Sequence, residues 1–172
     1  VYVSSVVVSA DGLYSVYYYG TDKAGNAETE KSTTFKIDRT LPQVSYTLLP
    51  MANDNGWNNT ALQVVFSGTD TLSGVVECSS KTISAEGRSQ AVPGWCRDTA
   101  GNIGYFTATV NIDLTQPAVL AAQTPAKNSY GWNNTPVTAT FTGSDVLSDI
   151  AYCAQARIIS TEGPSQAVSG YC

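Results

Sequence analysis

The chain has 172 residues, of which 9 are Lys or Arg, 14 are Asp or Glu and none is His, so its formal net charge is −5. The acidic balance argues against a nucleic-acid partner, because binding to phosphate backbones relies on clustered basic residues. The absence of histidine removes the commonest general base, the usual ligands of catalytic zinc and every Ser-His or Cys-His nucleophile. Most hydrolytic mechanisms are thereby excluded, and we expect no enzymatic activity.

The remaining composition bears on location. Charged residues make up 13% of the chain, about half of the share that is typical of soluble globular proteins. The apolar runs are far shorter than the roughly 20 residues that a membrane-spanning helix needs. We therefore expect no membrane insertion and an extracellular, secreted or cell-surface location. No export signal is visible at the first residues.

The sequence repeats itself with a period of about 75 residues. The pentapeptide Gly-Trp-Asn-Asn-Thr at 56–60 returns at 131–135. Positions 56–78 are identical to 131–153 at nearly half of the sites, and positions 86–96 are identical to 162–172 at most of them. This self-similarity indicates tandem repeats.

The repeat register divides the chain into three segments. We interpret residues 1–38 as the C-terminal half of one repeat, 39–113 as a complete repeat and 114–172 as a repeat that stops before its last strand. Both ends then lie inside repeats. An alternative is that the two partial repeats complete each other between neighbouring molecules, as in strand donation. Together, however, the two partial repeats are longer than one period, so they duplicate structure as well as complement it.

Apolar and polar residues alternate within each repeat, which is typical of half-buried antiparallel strands. Short turns rich in Gly, Asn and Asp separate these stretches, and none has the spacing and caps of a helix. The pattern predicts an all-β chain of tandem immunoglobulin-like β-sandwiches, arranged as beads on a string. For the complete repeat we predict strands A (43–49), B (61–67), C (75–80), E (81–85), F (89–97) and G (103–112).

Four motifs carry a family resemblance. They are Gly-Trp-Asn-Asn-Thr before a strand, a Thr/Ser-Asp-x-Leu-Ser loop, Asp-x-Ala-Gly-Asn, and Ile-Asp-x-Thr-x-Pro at the junction between repeats. Over its whole length the chain resembles the tandem bacterial immunoglobulin-like repeats of large surface proteins and adhesins. The resemblance implies a segment of an extracellular stalk, fibre or adhesin, and it specifies no ligand.

The four cysteines form two pairs at matching positions on predicted strands C and F, namely Cys78 with Cys96 and Cys153 with Cys172. Because these strands are neighbours in a sandwich, we predict one disulfide within each of the two repeats. The first segment has Val3 and either Tyr19 or Gly20 instead, and the loss of both cysteines together favours a disulfide. A four-cysteine zinc site is the alternative, but no Cys-x-x-Cys step is present. Disulfides imply an oxidising compartment.

Acidic residues are expected at the junctions between repeats, where the B–C and F–G loops meet the linker. They are Asp38, Asp70 and Asp98 at one junction, and Asp113 and Asp145 at the next, with Asp149 nearby. Such carboxylates suit a hard cation such as calcium, which would stiffen the linker, as it does in some adhesins of the resembled class. The alternative is that these are Asx-turn residues. The turn interpretation is favoured because no dense acidic cluster recurs in both junctions.

Trp57 and Trp132 occupy equivalent positions in successive repeats. They could stack against sugars, but their recurrence fits a packing role at least as well, and we favour packing.

The sequence thus predicts a structural module of an extracellular filament, stalk or giant surface adhesin that requires no cofactor, with calcium as the one candidate. Its partners would be neighbouring repeats or identical chains in a fibre. The competing hypothesis is an adhesin module that binds a polysaccharide or a host protein through the tryptophans or the loop ends.

Overall fold

The structure, a computed structural model, describes residues 5–172, so Val3 lies outside the described residues. The described chain is all-β, with eleven strands and no helix. The described residues contain no helix that is long and apolar enough to cross a membrane. The strands are β1 (Gly12–Tyr18), β2 (Lys31–Ile37), β3 (Gln43–Leu49), β4 (Leu62–Thr69), β5 (Val75–Cys78), β6 (Ser80–Ile83), β7 (Gly87–Asp98), β8 (Ile103–Ile112), β9 (Ala118–Thr124), β10 (Val137–Ser144) and β11 (Arg157–Ile159).

The strands between 43 and 112 follow the predicted ones closely, with one informative difference. Predicted strands A and G coincide with β3 and β8, whereas predicted strand C, which was expected to reach residue 80, ends as β5 at Cys78. The reason is Ser79, whose N–H donates to Trp95 O at 2.9 Å while its carbonyl accepts from Phe66 N at 3.1 Å. These two bonds go to strands of different sheets, so the chain crosses from one sheet to the other at Ser79.

The contacts group the residues into two compact units. Unit one extends from the first described residues to Met51 and adds Ala61–Ile83 and Gln90–Val110, whereas unit two consists of Ala52–Thr60, Ser84–Ser89 and Asn111–Cys172. This grouping does not test the repeat boundaries after residues 38 and 113, which stay predictions.

Unit one is built on the hairpin β1–β2 and on two three-stranded sheets, ordered β3-β4-β6 and β5-β7-β8. The two sheets pack against each other so closely that a Cβ atom on Gly94 would lie 2.2 Å from the Phe66 ring. Alternate residues of β4, β7 and β8 fill the space between them, as period-2 patterning predicts. The buried apolar residues of this unit include Leu62, Val64, Phe66, Val92, Cys96, Ala108 and Val110.

Unit two contains the sheet β9-β10-β11, in which β10 pairs antiparallel with both neighbours. The ring of Phe141 lies against Gly170, where a Cβ atom would come within 2.3 Å of it. Asn58 is buried in this unit. Its backbone forms a short parallel bridge, because its N–H donates to Asn111 O and its carbonyl accepts from Asp113 N.

Both predicted disulfides are confirmed. Cys78 pairs with Cys96 and Cys153 with Cys172, so all four cysteines are oxidised and no thiolate is left for a zinc site. In unit one the two cysteines are direct partners in the β5–β7 register. The bridge therefore joins adjacent strands of one sheet.

Gly94 offers a direct test of the sheet packing. We expect Gly94→Ala to destabilise the protein by about 1–3 kcal/mol or more, because the added methyl group overlaps the buried Phe66 ring. Urea unfolding measures the change. Gly20→Ala is the control, since its methyl group would meet only the flexible Glu28 carboxylate, at 3.4 Å. Equal stability of the two variants would contradict the packing described for the sheets.

Candidate functional site

Three carboxylates predicted at a junction lie together in unit one. Asp38 follows β2, Asp70 follows β4 and Asp98 ends β7. One oxygen atom from each lies within 4.8 Å of the other two, and the Asp98 side chain is fully buried. The loops around the three residues show how the sequence places them there.

Asp70 organises the loop after β4. Its Oδ1 accepts the N–H groups of Leu72 (3.1 Å), Ser73 (2.9 Å) and Gly74 (2.9 Å). The loop closes at Gly74, which has a φ of 76° that residues with a Cβ atom adopt at a cost. Asp70 Oδ2 is buried and accepts no hydrogen bond from the described residues. An orphaned carboxylate oxygen of this kind is costly unless a cation or a water molecule meets it.

Asp98 closes the turn between β7 and β8. Its Oδ1 accepts Asn102 N–H at 2.8 Å and its Oδ2 accepts the Asn102 side-chain amide at 2.7 Å. The same amide nitrogen also donates to the backbone carbonyl of Asp38, at 3.0 Å. Asp22 and Asn26 form the equivalent turn in the first segment, with bonds of 2.8 Å to both oxygens. The Asp-x-Ala-Gly-Asn motif is therefore a turn that holds its own aspartate.

Asp38 joins the linker to the loop after β4. Its Oδ1 accepts Thr40 N–H at 3.0 Å, and its Oδ2 accepts Ser73 N–H at 2.9 Å. Ser73 lies 35 residues further along the chain. One carboxylate thus ties the start of the linker to the next predicted repeat.

The same arrangement recurs one repeat later, in unit two. Asp113 accepts Thr115 N–H at 3.0 Å and Ser148 N–H at 3.1 Å. Asp145 accepts Ser148 N–H at 2.8 Å. Within the described chain this junction brings two of the predicted carboxylates together, and Asp149 lies elsewhere, with its side chain 81% exposed and 3.9 Å from Arg88.

A further carboxylate holds each linker from the other side, and sequence reasoning missed it. Asp11 Oδ1 accepts Arg39 N–H at 3.1 Å, and its Oδ2 accepts the Thr40 hydroxyl at 2.9 Å. Glu86 does the same one repeat later, accepting Leu114 N–H at 3.1 Å and the Thr115 hydroxyl at 3.0 Å. The available signal is an acidic residue before glycine at the same repeat position, Asp11-Gly12 and Glu86-Gly87, a pattern that is also typical of turns.

We call each of these linker arrangements a linker clamp. The first linker clamp consists of Asp11, Asp38, Arg39, Thr40 and Ser73, and the second of Glu86, Asp113, Leu114, Thr115 and Ser148. In each, two carboxylates accept the N–H groups of two consecutive linker residues, the hydroxyl of the second one and the N–H group of a serine in a later loop.

The hydrogen bonds of the linker clamps favour the ionised carboxylates. Bonds from Ser73 hold the pKa of Asp38 below its ordinary value, and bonds from Ser148 do the same for Asp113. Burial acts to raise the pKa of Asp98, but the bonds from Asn102 outweigh it and the pKa is lowered. Each group accepts protons less readily than in an unfolded chain.

The two tryptophans lie in different surroundings. Trp57 is half-buried, and the Arg88 guanidinium carbon lies 5.4 Å from the centre of its ring, within cation–π range. The equivalent Trp132 is 58% exposed. The backbones of both are held by the same Asx turn, in which Asn53 Oδ1 accepts Trp57 N–H at 3.0 Å and Asn128 Oδ1 accepts Trp132 N–H at 2.9 Å.

Neither the protein-family models nor the curated proteins give a match to this sequence.

The lowered pKa values predict a dependence of stability on pH. Because the carboxyl groups of Asp38 and Asp113 bind protons less readily when folded than at the ordinary 3.8, the unfolded chain takes up more protons in acid. Their contribution is fully present above about pH 4 and is lost as the pH falls through the folded pKa values. Thermal melts should therefore show a falling midpoint below about pH 4.

The double variant Asp38→Asn/Asp113→Asn is the comparison for these melts. It should be less stable than the wild type at neutral pH and should lose less stability on acidification. A wild-type midpoint that stays constant through this range would show that the carboxylates do not stabilise the fold.

Proposed function

We propose that the chain is a segment of a tandem array of immunoglobulin-like modules that forms the shaft of an extracellular filament, stalk or giant surface adhesin, without catalytic activity. The observation that carries this proposal is the linker clamp. The same bonds recur at two places that are one repeat period apart, and both fix the linker between two predicted repeats.

The strand order supports the immunoglobulin-like part of the proposal. When the observed strands are given the letters of the predicted strands, the two sheets of unit one have the orders A-B-E and C-F-G. These orders support an arrangement like that of the constant-type immunoglobulin sandwich without its D strand. The sheet β11-β10-β9 gives the order E-B-A again in the third segment.

The linker clamps bear on mechanical behaviour. A linker whose peptide groups are hydrogen-bonded only to water can change its φ and ψ angles freely, whereas a linker clamp bonds two linker N–H groups and one N–H group of a later loop to carboxylates at each junction. Charge-assisted hydrogen bonds are also stronger than neutral ones. Pro42 and Pro117, which follow the clamped residues, fix one further dihedral each. Short, restrained linkers of this kind keep an array extended, because an extended array then loses little conformational entropy.

The chemistry of the carboxylates fits a structural role. A general acid at neutral pH needs a raised pKa. Among the described residues, every acidic group with a resolved shift has a lowered pKa; these are Asp22, Asp38, Asp98 and Asp113. Their oxygens accept structural hydrogen bonds, and the lowered pKa values make these groups poor general acids at neutral pH. The two disulfides support an oxidising, extracellular location.

Trp132 favours a second candidate function, an adhesin module that binds a polysaccharide or a host protein. The residue is 58% exposed, and an exposed aromatic side chain can stack against a ligand. Trp57 offers less aromatic surface for stacking, because Arg88 lies over its ring.

Amide hydrogen exchange tests the shaft proposal at single bonds. Asp11→Ala should expose Arg39 N–H to exchange and leave Leu114 N–H protected, and Glu86→Ala should do the reverse. We expect each freed amide to exchange at least about tenfold faster. Exchange measured by NMR on the oxidised full chain resolves the two sites.

Each variant is thus the control for the other, and Glu28→Ala is a third control, because Glu28 pairs with Lys31 at 2.6 Å outside the linker clamps. Rapid exchange of the Arg39 and Leu114 amides in the wild type would contradict restrained linkers and with them the shaft.

Calcium is part of the proposal as a stabilising ligand of the first junction. Three carboxylate oxygens within 4.8 Å of one another, one of them on a residue with an orphaned oxygen, fit a hard cation with oxygen ligands at about 2.3–2.6 Å. Asp38, Asp70 and Asp98 would hold it. At the second junction the described residues supply only Asp113 and Asp145.

We therefore expect about 1 mM calcium to raise the melting temperature of the wild type relative to the protein in chelator. Asp70→Asn should abolish the increase, whereas Asp145→Asn, the matched change at the second junction, should retain it. An unchanged melting temperature in the wild type would leave the Asx turns as the sole role of these residues.

A further inference from the structure

The outward face of the sheet β5-β7-β8 carries a groove that neither the linker clamps nor the core uses. Its volume is about 410 Å³, and it is lined by Glu77, Trp95, Arg97, Ile103 and Tyr105. This volume lies within the range of about 300–1,000 Å³ that is typical of small-ligand sites. All five residues belong to unit one.

Strand alternation sets this face apart from the core. On β7, Gly94 and Cys96 are buried against the other sheet, so Trp95 and Arg97 point the opposite way. Tyr105 is 75% exposed. The backbone N–H of Trp95 donates to the Ser79 hydroxyl at 2.9 Å. The position of Trp95 is therefore fixed through its backbone, while its ring contributes to the surface.

The polar groups of the groove balance in charge. Arg97 donates to Glu77 at 2.8 Å, and the two side chains are 48% and 51% exposed. A groove with one positive and one negative group gives no net attraction to a charged polymer. It does offer the N–H donors of Arg97 beside the carboxylate acceptor of Glu77. Together these groups can donate hydrogen bonds to neighbouring hydroxyl groups and accept hydrogen bonds from them.

Aromatic residues recur at the repeat position of Trp95, which directly precedes the second cysteine in the two repeats that have cysteines. Tyr19, Trp95 and Tyr171 follow one another at equal intervals of one repeat. Tyr19 is 62% exposed and Tyr171 is 60% exposed. Tyr152 stands where Glu77 stands one repeat earlier, and its ring lies 5.8 Å from that of Tyr171.

We propose that this face binds neutral oligosaccharides or polysaccharides, with Trp95 and Tyr105 stacking on sugar rings and the Arg97–Glu77 pair bonding to their hydroxyl groups. Aromatic side chains combine a large apolar face with fixed geometry, which suits the apolar faces of sugar rings. The balanced charges select neutral over anionic sugars. The proposal goes beyond the shaft function and does not rest on it, since a shaft with flexible linkers would present the same face.

The oxidised full chain is tested on an array of neutral and sulfated or uronate-containing oligosaccharides, followed by titration with the best neutral ligand. We expect binding to neutral sugars and none to the anionic ones. Tyr105→Ala and Trp95→Ala should each raise the dissociation constant at least about tenfold. Tyr105 is so exposed that its variant should fold even if Trp95→Ala does not.

Trp132→Ala is the matched control and should bind as the wild type does. The proposal is overturned if no neutral sugar binds, if anionic sugars bind equally well, or if Tyr105→Ala binds unchanged. Loss of binding in Trp132→Ala alone would also overturn it and would support the adhesin candidate based on that residue.

Discussion

The structure depends most on carboxylates that accept backbone N–H groups across sequence distance. The N–H and C=O groups of a linker that is exposed to water can bond to water in many backbone conformations. Hydrogen bonding to water therefore favours no single conformation. A carboxylate changes this balance because it is charged, accepts several donors at once and is itself fixed by a turn. Asp38 and Asp113 do this at equivalent places, and the lowered pKa values are the electrostatic consequence.

The close packing of the sheets supports these linkers. Gly104 lies so near the carbonyl of Pro42 that a Cβ atom would come within 2.1 Å of the oxygen. The linker backbone therefore touches β8 directly, and a side chain at Gly104 would push them apart. The disulfide between Cys78 and Cys96 holds β5 against β7 in the same sheet. Core, disulfide and linker clamp thus act on one connected set of strands in unit one.

The two sides of the sheet β5-β7-β8 have separate roles in these proposals. The inner side carries the small and apolar residues that let the sheets approach, such as Gly94 and Ala108. The outer side carries Trp95 and Tyr105, which line the groove. A sheet with this division can vary its outer residues without loss of the fold. The repeat position of Trp95 is occupied by Tyr19 in the first segment, where cysteines are absent.

The sequence by itself determined the all-β class, most strand positions and both disulfides. These follow from alternation, turn residues and the repeat register, which depend on neighbours in the chain or on direct comparison of repeats. The sequence also predicted that Asp38, Asp70 and Asp98 lie close together, because the loops at one end of a sandwich are neighbours. Only the tertiary structure decided the roles of Asp11 and Glu86, whose bonds reach 28 or 29 residues along the chain. It alone distinguished Trp57, which Arg88 covers, from the exposed Trp132. The physical reason is that contacts between distant residues depend on the path of the whole chain, which no local pattern specifies.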